Sequence, residues 1–241
     1  MKMIKKTRWL VLLMLVVIAG ISAKSVNVPG GSTSGVWTKD VYMIDGDIII
    51  DSGDTLLIEH GCTLYSNYNI HVFGTLIMKG GSASGDSIYT STGAVILREN
   101  GKVYMDKVHP SNNFKIRNWA DVKTNLIDVR NSCFIYQGNT NLIQLDSSRT
   151  DTTTIVVKDS KIEFNISSMA AVLSYSDGKM LPQLVFEGNK ISDGSGVEIH
   201  GKFELTSLNV SIERNMFKGG NYPIYIDSCY RSEIIIRNNI A

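Results

Sequence analysis

Cysteine is scarce: Cys62, Cys133 and Cys229 are the only three in 241 residues. An odd, widely spread set argues against a disulfide framework, because exported domains held by disulfides carry many cysteines in pairs. All three are expected to fill small apolar spaces, with one pair among them left open as an alternative. Net charge is also lacking. Twenty-four Lys and Arg against 23 Asp and Glu leave +1, with the signs interspersed, so no nucleic-acid or anionic-membrane partner is expected. No ten-residue helical-period stretch separates the apolar runs after residue 41, which excludes alternating βα units. Motifs are missing as well: no HxH, HxxxH or CxxC spacing for a transition metal, no phosphate loop and no GxSxG elbow.

The N-terminus is distinctive. Lys2, Lys5, Lys6 and Arg8 precede "LVLLMLVVIAGI", and "SA" stands before Lys24. A basic start, a short apolar core and small exit residues predict a signal peptide over 1–23, too short for a comfortable membrane span. The chain is therefore expected to be secreted, extracellular or at the outer cell surface, with no membrane span after cleavage. Residues 24–40, containing "KSVNVPGGSTSG", are expected to be a flexible lead-in and N-terminal cap.

From Val41 the chain turns to short alternating apolar runs punctuated by Gly46, Gly53, Gly61 and Gly74. The inward candidates are Ile48, Ile50, Leu56, Ile58, Leu64, Ile70, Val72, Leu76 and Met78. Such short strands need their sheets to continue sideways into further copies of themselves. The second half supplies these as "VRNSCF", "VKDSKI", "FEGNKI", "IERNMF" and "IRNNIA", starting 28, 29, 26 and 24 residues apart. Repeats of this length that cannot bury their own faces imply a solenoid.

Each copy places a small polar residue three positions after its apolar start: Ser132, Ser160, Asn189, Asn215 and Asn239. In a right-handed parallel β-helix these would form a corner ladder. The bend needs a left-handed backbone, which Asn tolerates, and stacked amides can satisfy one another. The expected fold is all-β, one single-stranded right-handed parallel β-helix over 41–241. It should have about seven to nine coils, with its C-terminal end truncated, since "EIIIRNNIA" stops inside a repeat.

The opening "GDIIIDSGDTLLIEHGCTLYSNYNIHVFGTLIMKG" and the five (V/I/F)-x-x-(N/S)-x-(apolar) corners resemble the pectate-lyase-like superfamily. Within it, they are most similar to the β-helix repeats of secreted bacterial surface proteins. The resemblance implies the solenoid and leaves activity open, because the fold carries lyases, hydrolases and adhesins alike. The superfamily's Asp-Asp pair for glycoside hydrolysis is absent.

Asp146, His200 and Asp227 follow the second run of their coils and, with Tyr175, would stack in one outward row. The expected function is an exported structural, adhesive or glycan-binding module without catalysis, whose partner is a polysaccharide or another surface protein, and no cofactor is expected. The alternative is a polysaccharide lyase or hydrolase on an acidic polysaccharide, with His200 as base and Asp146 and Asp227 binding Ca²⁺ or substrate. Arg130, Lys158, Glu187, Glu213 and Arg237 are expected to pair across coils, and Trp119 to cover the solenoid side.

Overall fold

The computed structural model describes residues 25–38, 40–81, 87–90, 93–118, 124–147, 152–176, 183–201, 209–227 and 233–241. Among the described residues the regular structure is all strand, arranged as a right-handed parallel β-helix. Three sheets of nine strands each form its faces. The first runs from Ser25–Val28 to Met216–Lys218, the second from Gly31–Ser32 to Ile224–Ile226, and the third from Gly35–Trp37 to Glu233–Arg237. The chain passes through the sheets in that order, coil after coil, so every paired strand comes from a neighbouring coil.

Alternation within each strand decides which side chains enter the interior. All nine early inward candidates are at most 6% exposed. In-register pairing stacks like on like: Ile48 lies beside Ile70, Ile70 beside Val95 and Val95 beside Ile116. Each such side chain contributes about 1.5–3 kcal/mol on burial, but only with a coil on either side. The last strand, Glu233–Arg237, has one neighbour, and Ile236 is 50% exposed.

Residues 25–37 differ from the expected lead-in. They form the first coil: Ser25–Val28 pairs with Val41–Ile44, Gly31–Ser32 with Ile48–Ile50, and Gly35–Trp37 with Thr55–Ile58. The Gly/Ser-rich composition suits corners, while Val28 and Trp37 supply the inward anchors and the Trp37 ring stacks on Tyr42 at 4.5 Å. Cys62 is buried and its thiol donates to Trp37 O (3.4 Å), and Cys133 is half-buried. Cys62 and Cys133 are not joined to each other, and Cys229 lies outside the described residues.

The corner between the third and first sheets holds the repeated polar residues. Ser160 Oγ accepts the Ser132 N–H (3.1 Å), Asn189 Oδ1 that of Ser160 (3.0 Å), Asn215 Oδ1 that of Asn189 (2.9 Å) and Asn239 Oδ1 that of Asn215 (2.9 Å). Each of the three Asn side chains also donates Nδ2–H to a carbonyl of the preceding coil: Val157 O, Phe186 O and Ile212 O, all at 2.9 Å. The two Ser hydroxyls turn back to Arg130 O and Lys158 O on their own strands instead. Asparagine therefore links two coils through both ends of its amide, and serine through one oxygen.

One detail corrects the expected role of these residues. The left-handed backbone falls one position earlier, at Asn131 (φ 50°), Asp159 (51°), Gly188 (67°), Arg214 (56°) and Asn238 (57°). Its holding force is a cross-coil bond: the N–H groups of Asn131, Asp159 and Gly188 each donate to the next coil's carbonyl at 3.0 Å. The bend and the ladder are thus separate tasks on adjacent residues, which is why Arg can occupy the bend while Asn fills the buried position.

Replacing Asn215 by Leu leaves the Asn189 N–H buried without a partner, at about 1–3 kcal/mol, and removes the side-chain bonds to Phe186 O and Asn189 Nδ2. Chemical denaturation of Asn215→Leu is expected to show a loss of several kcal/mol, whereas Met216→Leu, at an exposed site next to it, leaves the midpoint unchanged.

Candidate functional site on the outer face of the second sheet

The outward positions of the second sheet carry most of the chemistry that the core and corners leave over. Register fixes which of them meet. Asp146 lies opposite Tyr175, and Tyr175 opposite His200. Ile199 pairs with Ile226, and the Asp227 N–H donates to Ile199 O (3.0 Å), so Asp227 continues the row. The side chains of Asp146 and Tyr175, and all of Trp119, lie outside the described residues.

At the C-terminal end of this face His200 Nε2 lies 3.4 Å from Glu198 Oε2. Its ring packs on Tyr225 at 4.7 Å and 30°, and Tyr225 meets Tyr222 at 5.6 Å and 54°. Glu198 and Tyr225 are direct register partners. Neither stands out in the sequence, although both lie two positions before His200 and Asp227, on the same face of their strands. Same-face alternation was the available signal.

A second assembly lies in the early coils. Asp47 accepts the Asn69 N–H at Oδ1 (2.9 Å) and faces His71 Nε2 with Oδ2 (3.3 Å). Arg98 directs Nε (3.2 Å) and Nη2 (3.1 Å) at His71 Nδ1. A guanidinium only donates, so Nδ1 is the acceptor and the ring proton stands on Nε2, toward Asp47. Both nitrogens are engaged; His71 holds Arg98 along the sheet. The Asn69 N–H, followed by His71, keeps the Asp47 carboxyl below its ordinary range against the opposing effect of burial. The separation of these residues by 24 and 27 positions hid the assembly from sequence.

The charged corner row is paired. Lys158 Nζ lies 2.7 Å from Glu187, Arg237 Nε 2.6 Å from Glu213, and Arg214 also contacts Glu187. Arg130 instead grips Asp128 on its own strand through two bonds of 2.7 and 2.9 Å. Lys158 and Arg237 hold the carboxyls of Glu187 and Glu213 below the usual glutamate range.

Among the described residues no group of three or more His, Cys, Asp or Glu is placed to hold a metal ion. Nor is any helix among them long and apolar enough to cross a membrane. No family model matches the chain, and no curated protein or solved structure does either.

The depressed carboxyls fix a pH dependence. A carboxyl whose folded pKa lies below its unfolded value stabilises the fold above the unfolded value, 4.5 for glutamate. That stabilisation is lost as the pH falls through the folded value. Urea midpoints are expected to drop between about pH 6 and pH 3, and Glu187→Gln to lower the midpoint at pH 6 while shrinking the acid-side drop.

Proposed function

We propose that the chain is an exported β-helix module, secreted or displayed at the outer cell surface, which holds a glycan or a surface protein against the second sheet without itself catalysing a reaction. Export rests on the basic and apolar pattern of residues 1–23. The pectate-lyase-like resemblance supports a surface role by analogy of fold alone.

The observation that carries the binding reading is the cluster of tilted His200, Tyr225 and Tyr222 rings with Glu198 beside them. Aromatic rings present apolar faces to sugar rings while neighbouring polar groups orient hydroxyls. Tyr222 is 55% exposed, which leaves a face of its ring open to a ligand.

A second reading is favoured by the same contact. An imidazole held by a carboxylate beside Asp227 has the parts of a proton-abstracting base, so a lyase or hydrolase acting on an acidic polysaccharide is the alternative. Retention on a glycan panel, with parallel assays for ultraviolet-absorbing unsaturated products in the presence of Ca²⁺, separates the two. Under the binding reading Tyr225→Ala weakens retention roughly two- to tenfold, matching about 0.5–1.5 kcal/mol of lost ring contact, and no product accumulates. Product formation abolished by His200→Ala would replace it with the enzymatic one.

A further inference from the structure

The middle outward positions of the third sheet form one column across its nine strands. Leu57 lies beside Ile77 and Ile77 beside Tyr104. Past Asp128 the column resumes with Val156 beside Val185. Val36 begins it and Ile235 ends it, at 57% and 37% exposure. With Ser211 as the remaining member, seven of the nine are apolar or aromatic. The corresponding column has four of nine in the first sheet. It has four of nine in the second as well. The outer face of the third sheet is therefore the apolar one.

Its strands read accordingly. "LLI" at 56–58, "LIM" at 76–78 and "LVF" at 184–186 are unbroken apolar runs, the pattern of parallel strands covered on both faces. The two polar members of the column are satisfied on their own strands. Asp128 takes two bonds from Arg130, and Ser211 Oγ donates to Glu213 Oε1 (2.8 Å). Neither depends on water, so both tolerate being covered. Polar rims run on either side, two positions before and two after the column. In the earlier rim, from Thr55 to Glu233, Lys102 and Glu233 are the only charges; the other positions are Thr, Leu, Gln or Asn. The later rim is the charged corner row, in which Asp106 shares a strand with Lys102 and Arg237 shares one with Glu233.

We propose that the outer face of the third sheet is a homodimer interface, covered by the same face of a second copy with the two solenoid axes parallel. A two-fold axis along the solenoid brings the apolar columns together strand by strand. It also lays the earlier rim of each copy opposite the later rim of the other. Lys102 then meets Asp106 of the second copy, Glu233 meets Arg237, and no two like charges face each other. An antiparallel two-fold instead sets Glu59 against Glu213 and Arg130 against its own copy. Charge complementarity thus selects both the partner and its direction. Spacing agrees: the column steps by about 4.8 Å over roughly 38 Å, a period that another such sheet matches without a gap. Nine strands of about five residues cover roughly 650 Å² per copy, or about 1,300 Å² in total, within the 1,200–2,000 Å² of specific interfaces.

Sedimentation equilibrium of the full chain over a range of concentrations is the test, and a monomer–dimer equilibrium is expected. Ile77→Lys with Val185→Lys, in the column, should weaken the dimer at least tenfold. Met43→Lys with Ile135→Lys, at exposed outward positions of the first sheet, should change it less than twofold. The rim gives a readout that does not touch the apolar face. Lys102 and Asp106 are both exposed, so their substitution leaves the fold in place. Lys102→Glu alone and Asp106→Lys alone should each weaken the dimer two- to tenfold, and the two together should restore it. That rescue requires parallel copies. A monomer at every concentration, an assembly larger than a dimer, or equal weakening by the two lysine pairs overturns the interface. A double charge swap that is weaker than either single variant overturns it as well.

Discussion

Everything in this molecule depends on hydrogen bonding from one coil to the next. Strands of two to seven residues have too little surface to be stable alone, and none of them meets a partner within its own coil. Each borrows its backbone partners from the coils above and below, and the corners do the same. The Asn189–Asn215–Asn239 ladder carries this principle to side chains, joining coils through both the oxygen and the nitrogen of each amide. A buried polar corner in an apolar stack is tolerable only because register keeps its partner within about 3 Å at every level.

That same register builds the outer faces. Residues 20 to 30 positions apart become neighbours, and a face is a column read across coils. On the third-to-first corner the columns neutralise themselves: acid meets base, and the row is consumed by the structure. On the second sheet they do not. Arg98 anchored on His71, then the half-exposed Lys115 and Arg117, and then a Glu-His-Tyr cluster follow one another along the axis.

The repeat, the inward apolar set and the polar corner positions were legible in the sequence because each is a short-range pattern of period two or of constant spacing. Other features were not. The left-handed residue was placed on the ladder position, although it precedes it, since spacing shows that a bend exists without showing which peptide turns. The first coil reads as a lead-in because its glycines and serines hide three anchored strands. A buried group inside the solenoid, Asn118 Nδ2 to Thr153 (3.3 Å) and Asn125 Nδ2 to Asn118 (3.2 Å), also escaped notice. Polar residues at inward positions look like broken alternation until the neighbouring coil supplies the partner. On the outer face, position after the second run marks Asp146, His200 and Asp227 as one row, and no such signal marks Glu198 and Tyr225 on the adjacent one.

Coil-to-coil register places the outer face proposed to bind, and one cross-link tests it. With the native cysteines replaced by serine, Glu198→Cys and Tyr225→Cys stand at directly paired positions, within the range a disulfide spans. Glu198→Cys with Asp227→Cys is displaced by two residues and lies beyond it. Mild oxidation should join the first pair readily and leave the second as thiols. Preferential joining of the displaced pair, or of neither, would mean that the coils do not stack in this register and that the face does not exist as described.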